Sequence, residues 1–466
     1  MQWDNARIYR TGDFFVGSKR GHEIGVTTER HAITIAGAGS GKGATTIIPN
    51  IKRWPHNLLV IDPKGENARE TVEDRAAMGQ RVYVIDPFDR SKVDRKYIAR
   101  FNPMESLDNS SVTFADDVFA IADGIVMRGH DPSSENWDDG AQELIAGLIA
   151  FSYLDGDKKN LGEVRDLLAG DKDFLIAWAR QHSDDKRAGG LIRSACDRIL
   201  AQEGAYYISN AQKNTAWLDR EPIADVLDKT DFSLSDLKNG KASVFLVLPA
   251  NYLVSYGRML RMFVRCAIEA MAQPTPEGRD RGEQCLFLLD EFFALGKIRE
   301  IAVSAGLMRG YGLQLWPIMQ DLGQLISLYG REGAETFFAN ADLHQFFGIS
   351  DQTTAEYVSN VCGHIGMEDL NTPPPVPPSM PAQLGLNIGG HISQMAGGSR
   401  DSSMRLAGQT VGALSSMIGG MASAAAQASN QRAQEQYQEE MNEYQRQMQM
   451  YGLIVPTKDG HLIKNL

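Results

Sequence analysis

Residues 36–46, AGAGSGKGATT, carry the spacing of a phosphate-binding loop. In the pattern G-x-x-x-x-G-K-[ST], successive backbone amides cradle phosphate oxygens, the Lys reaches the outer phosphates and the hydroxyl binds Mg²⁺. Here Ala36 stands at the first glycine, Lys42 is in place, and Gly43 occupies the hydroxyl position. Gly37, Ala38, Gly39, Ser40, Gly41 and Lys42 are the candidate cradle, with Gly43 and Ala44 opening a helix whose N-terminal dipole favours an anion. Thr45 or Thr46 is left to supply a hydroxyl to the metal. Mg²⁺ tolerates this, because it keeps several waters and needs few protein ligands.

A second group of residues completes the chemistry. In CLFLLDE, residues 285–291, an apolar strand ends on Asp290 and Glu291. Ligands of α/β sheets bind at the C-terminal ends of strands. There Asp290 would hold Mg²⁺, directly or through water, and Glu291 would orient or deprotonate an attacking water. An acidic strand end by itself is common; paired with the loop, it points to hydrolysis of a nucleoside triphosphate.

The elements that must position these groups follow a βαβ rhythm. HAITIA (31–36) precedes the loop; NLLVID (57–62), a helical stretch and RVYVID (81–86) follow it. The rhythm resumes at SVFLVLP (243–249), CLFLLDE, LQLWPIMQ (313–320) and HQFFGIS (344–350). Short buried strands alternating with helices predict an α/β fold with a parallel central sheet. From 101 to 231 the strand pattern vanishes. Trp137, Ala141, Leu144, Ile145 and Leu148 recur on one helical face, which predicts an all-helical domain inserted into the sheet domain, with Trp137 as a packing anchor. The expected organisation is 1–100 and 232–366 for the two parts of the nucleotide-binding domain, 101–231 for the helical insert, and 367–466 for a tail.

That tail changes character. TPPPVPPSMP (372–381) reads as an extended linker, and a Gly/Ser/Ala stretch covers 406–426. Tyr437, Met441, Tyr444, Met448 and Tyr451 then alternate spacings of four and three, the seam of a short coiled coil or of a docking helix.

Composition narrows the remaining classes. A net charge of -12 over 466 residues argues against a surface that is nucleic-acid footprint throughout, though not against a narrow basic channel. The four cysteines have no C-x-x-C spacing, and the nine histidines form no metal-binding pair. Buried thiols in a reducing cytoplasm are the reading. No secretory signal and no strongly apolar run of membrane-spanning length is present.

Taken in order, AGAGSGKGATTIIPNI, LLVIDPKGENARET, RVYVIDPFD, FNPME, the W-D-x-x-A of Trp137–Ala141, LLDEFFALGKI, GYGLQLWPIMQDLGQL and SDQTTAEYVS resemble the TraG-type coupling ATPases of type IV secretion and conjugation, over roughly residues 8–365. Glycine after the loop lysine is frequent in that family. The resemblance implies a RecA-like P-loop motor with an inserted helical domain, using ATP and Mg²⁺. It implies a homohexamer at the cytoplasmic face of the bacterial inner membrane that feeds DNA, a relaxase–DNA complex or effector proteins to the secretion channel. It assigns Lys42, Asp290 and Glu291 to catalysis, Gln320 to a polar sensor and Arg309 to an arginine finger; a surface Arg at a helix end explains Arg309 equally. In DPKGE (62–66), Asp62 would end a strand beside the loop strand and face the nucleotide, and Lys64 fits a solvated turn as well. Family members often begin with transmembrane helices and this sequence shows none, so membrane contact is expected to be indirect. Two other classes remain: a nucleotide-binding cargo receptor or scaffold without motor activity, and a soluble hexameric DNA translocase.

Overall fold

The computed structural model describes residues 6–19, 21–128, 135–298, 300–301 and 307–362, with 431–432, 434–439, 441–442, 454–456 and 462–464 of the tail. Two compact units divide the chain, Met1–Ala355 and Glu356–Leu466.

The first unit opens with a small antiparallel sheet of β1 (Ala6–Ile8), β2 (Phe14–Lys19) and β3 (His22–Val26), in the order β1-β3-β2. Seven strands then build the central sheet: β4 (His31–Ala36), β5 (Asn57–Asp62), β6 (Arg81–Ile85), β7 (Ala242–Val247), β8 (Cys285–Leu289), β9 (Leu313–Met319) and β10 (Ala341–Phe347). Their order is β10-β4-β9-β8-β5-β7-β6, and every neighbouring pair is parallel. Strands covered on both faces can be apolar at successive positions, and β4, β5, β7, β8 and β9 are buried along their whole length. Leu58, Val60, Phe245, Leu286, Leu288, Trp316 and Ile318 form the core together with Trp54 and Phe14.

This order corrects one expectation. β5 does not flank the loop strand; β9 and β8 stand between them. A buried polar chain helps to hold β9 and β10 on either side of β4. The Trp316 indole donates to Thr34 Oγ1 at 2.8 Å, and Thr34 Oγ1 donates to Gln345 Oε1 at 2.8 Å. Buried polar groups are costly unless bonded, so this chain specifies which strands meet.

Between residues 101 and 231 the described residues contain helices and no strand. After α1 (Ile48–Arg53) and α2 (Glu66–Ala77) of the sheet region come α3 (Phe114–Ile125), α4 (Glu135–Asp155), α5 (Leu161–Ala169), α6 (Lys172–His182), α7 (Leu191–Leu200), α8 (Gly204–Thr215) and α9 (Glu221–Leu227), and α10 (Asp236–Asn239) leads back to β7. Ala141, Leu144, Ile145 and Leu148 are fully buried on α4. Trp137 is only half-buried and packs its ring 5.2 Å from Tyr206 and 5.5 Å from Tyr207. The chain leaves the sheet and returns to it side by side: Phe101 N–H donates to Val226 O at 2.8 Å, and Arg100 pairs with Asp231 at 3.2 Å.

In the second unit, residues 431–432, 434–439 and 441–442 are helical, and β11 (Ile454–Pro456) pairs antiparallel with β12 (Leu462–Lys464). The proline-rich stretch 372–381, the small-residue stretch 406–426 and the seam positions Tyr444, Met448 and Tyr451 lie outside the described residues. Among the described residues, no helix is long and apolar enough to cross a membrane.

Candidate nucleotide site

Because all seven strands run the same way, the residues that follow β4, β5, β8 and β9 emerge at one edge of the sheet. The loop after β4 is anchored from β10: Gly37 N–H donates to Phe347 O at 3.2 Å. A Cβ on Gly37 would come within 2.8 Å of the Gly348 carbonyl oxygen, so only glycine fits there. Gly39 and Gly41 take left-handed φ of 74° and 82°, which turns successive amides inward as an anion-binding nest. Among the described residues, the amides of Ala38, Gly39, Gly41 and Lys42 have no backbone carbonyl partner. The Ser40 hydroxyl is buried without a hydrogen-bond partner.

A cavity of about 170 Å³ opens over the loop. Its walls are Ala36, Ala38, Gly39, Lys42, Gly43 and Ile47 on one side; Asp62, Pro63, Lys64, Glu66 and Asn67 on another; and Ala250, Asp290, Glu291 and Gln320 on the third. Lys42 Nζ donates to Asp290 Oδ1 at 2.8 Å and stands 3.8 Å from Glu291 Oε1. Gln320 Nε2 donates to Glu291 Oε2 at 3.3 Å. The strand order explains this meeting: β9, which Gln320 follows directly, lies between β4 and β8, the strands that precede Lys42 and Glu291. Four of the five expected catalytic residues are thus brought together.

Arg309 is not. It sits in the turn that precedes β9, at the opposite edge of the sheet, and pairs with Glu29 at 3.2 Å. Thr45 also departs from expectation. Residues Gly43–Ile47 form a π-helical turn, and Thr45 Oγ1 donates back to Gly41 O at 2.9 Å. Its hydroxyl proton is therefore committed to the loop backbone, and Thr45 does not line the cavity. Thr46 is buried beneath, 3.4 Å from Gln345 Oε1.

Asp62 lines the cavity although its strand is remote from β4. Its carboxylate accepts from Ala68 N at 2.8 Å and Lys64 N at 3.3 Å, so it shapes the DPKGE turn. Burial is the main cause that pushes its carboxyl up to about 6, against the pull of these backbone donors. Lys64 is exposed on that turn.

Two partners escaped the sequence reading. Gln324 Oε1 accepts from Gln320 N at 3.1 Å and so fixes the sensor's backbone; its signal was the four-residue spacing within QDLGQ. Asn50 ties the loop helix to the small sheet, accepting from Phe15 N at 2.8 Å and donating to Phe15 O at 2.8 Å. Nothing local in the sequence marks that contact across 35 residues.

The donor set fits a phosphate chain: unpaired amides and one lysine for the anion, and the Asp290 carboxylate, a hard oxygen ligand, for a hard cation. The chain is 29% identical over 359 residues to the type IV secretion system-coupling protein VirD4 of Bartonella quintana, covering 73% of this chain and 54% of that protein. It is 28% identical over 351 residues to the conjugal transfer protein TraG of Rhizobium radiobacter, covering 72% and 53%. It therefore spans about half the length of the curated relatives it matches. Among solved structures, the bacterial conjugative coupling protein TrwBdeltaN70 in complex with sulphate superposes with a TM-score of 0.55 at 17% identity, over 72% of this chain and 74% of that one. The plasmid coupling protein TrwB in complex with ADP and Mg²⁺ gives 0.54 at 16% identity, with the same coverage. These likenesses identify the α/β architecture as the RecA-like P-loop fold. A family model described as type IV secretory system conjugative DNA transfer matches residues 2–372, and the chain belongs to that family.

Proposed function

We propose that this chain is an ATP-hydrolysing coupling protein that recruits DNA, nucleoprotein or effector protein and drives it into a type IV secretion channel. The observation that carries the reading is the convergence of Lys42, Asp290, Glu291 and Gln320 on one cavity above the phosphate loop. The nucleotide complexes of TrwB support ATP as the ligand and Mg²⁺ as its partner.

In this reading the loop amides and Lys42 hold the phosphate chain, and Lys42 exchanges its bond to Asp290 for one to a phosphate oxygen. Asp290 is the residue that would hold Mg²⁺, which neutralises charge on the outer phosphates when bound. Glu291 accepts a proton from the attacking water, whose oxygen forms the new bond to the terminal phosphorus as the bond to the leaving oxygen breaks. Gln320 keeps the Glu291 carboxylate turned toward that water. Arg309 acts on the site of a neighbouring subunit, which makes hydrolysis depend on assembly into a homohexamer. Residues 101–231 form the inserted helical domain within the nucleotide-binding domain of 1–100 and 232–366. The membrane, the channel components and the cargo are met at the cytoplasmic face of the inner membrane.

The test is ATP hydrolysis against protein concentration, with and without single-stranded DNA, beside Lys42→Ala and Glu291→Gln. Cooperative hydrolysis that responds to DNA and is lost in both variants is the expected result. ATP binding without turnover at any concentration overturns it in favour of a receptor.

A further inference from the structure

Glu291 stands in the left-handed region, at φ 56° and ψ 44°. A residue with a Cβ stays there only where its surroundings hold it. Those surroundings are β9, the rings of Tyr329 and Phe337 packed on Phe292, and above all α11 (Leu253–Ala272), against which the turn Phe292–Leu295 lies. Arg261 of α11 is 1% exposed and reaches the turn's exit, donating to Leu295 O at 3.4 Å and Lys297 O at 2.5 Å. One helical turn earlier, a Cβ on Gly257 would lie 2.8 Å from the Ala294 carbonyl oxygen. Ala294 N–H in turn donates to Glu291 O at 2.8 Å.

The same guanidinium also grips the helical region. It donates to the Asp123 carbonyl at 3.2 Å and stands 3.4 Å from the Asp123 carboxylate. Asp123 lies on α3, which meets α11 so closely that a Cβ on Gly124 would be 2.6 Å from Met262 Cα. A buried guanidinium cannot give up such partners without leaving N–H groups unsatisfied. The Glu291 turn, α11 and α3 are therefore constrained to shift together.

We infer that Arg261 is a positioning residue for hydrolysis: it sets the backbone of Glu291 and carries displacement of α3 to it. The inference rests on the hydrolytic reading above. Cargo that engages residues 101–231 then alters turnover without touching the nucleotide.

Arg261→Lys and Gly257→Ala test this at neighbouring points of the turn, Leu295 and Ala294. Gly257→Ala adds one methyl group and favours the helix, so it reports even where Arg261→Lys fails to fold. With kcat, KM and the Kd for fluorescent ADP measured, kcat falls about tenfold or more while KM and Kd stay within about twofold. In a Glu291→Gln background neither change lowers the residual rate further. Turnover undiminished in both variants, or an equal proportional loss in the Glu291→Gln background, overturns the inference alone. An unmodified chain that binds ATP and never turns over overturns the hydrolytic reading, and the inference with it.

Discussion

Lys42 Nζ and Asp290 Oδ1 lie 2.8 Å apart, with the two side chains only 19% and 14% exposed. Lys42 thus neutralises the acidic pair Asp290 and Glu291. Lys42→Ala leaves two carboxylates adjacent and uncompensated, and it is expected to lower unfolding stability by about 1–2 kcal/mol. Adding Asp290→Asn should restore most of that stability and none of the hydrolysis. Denaturant midpoints of the two singles and the double, read as a cycle, check the coupling.

Gly43 is a place where a hydroxyl could return. A Cβ there meets nothing within 4 Å, and the position has no left-handed backbone. Gly43→Ser should fold as the unmodified chain does and lower the Mg²⁺ concentration needed for half-maximal hydrolysis, by about threefold or more for one added oxygen ligand. Thr45→Val should leave that concentration unchanged, because Thr45 does not line the cavity. A Mg²⁺ titration of both variants decides it.

Asp62 gives the fold a pH dependence of definite sign. Its folded carboxyl is pushed up to about 6 from 3.8, mainly by burial. A raised acid binds its proton more tightly folded than unfolded, so its contribution is fully present below about 3.8 and is lost as pH rises through about 6. Between pH 5 and pH 7.5 the loss is about 1.4 kcal/mol, from that shift and the linkage relation. Asp62→Asn should remove this component, seen as a flatter stability difference between the two pH values in urea unfolding.

Arg309 is 53% exposed in its pair with half-exposed Glu29, and such pairs contribute under about 1 kcal/mol. Arg309→Ala should therefore leave unfolding unchanged and nucleotide binding intact, while assembled hydrolysis drops about 100-fold or more. Mixing it with Lys42→Ala chains should recover part of the activity, because Lys42→Ala subunits still offer Arg309 to their neighbours' intact loops. A mixture as inactive as its components would place no finger between subunits.

The seven strands of the sheet were legible as short apolar or β-branched runs between helical stretches, and burial on both faces makes the five inner ones apolar at successive positions, HAITIA and NLLVID matching β4 and β5 residue for residue. Their order was not. Whether β5 or β9 lies beside β4 depends on contacts such as Thr34 with Trp316, 282 residues apart. The small sheet β1-β3-β2 was missed because its strands are short and partly exposed. At the site, residue types and spacing marked Lys42, Asp290 and Glu291 as candidates, and the family resemblance added Gln320. Thr45 was misplaced because the π-helical turn that swings its hydroxyl onto Gly41 has no sequence signature. Arg258, Arg261 and Arg265 recur at helical spacing in an otherwise apolar stretch, a signal that charged side chains there are held inside.

The left-handed backbone of Glu291 also bears on how this chain can change over generations. Glycine at that position would relieve about 1 kcal/mol or more of strain, so random drift toward a sturdier protein has an open route through residue 291. Any lineage that took it would gain thermal robustness and lose the carboxylate in the same step. On the hydrolytic reading, selection for turnover acts against selection for durability at this one residue, and a screen for heat-resistant variants of this chain should recover Glu291→Gly among survivors that no longer hydrolyse ATP.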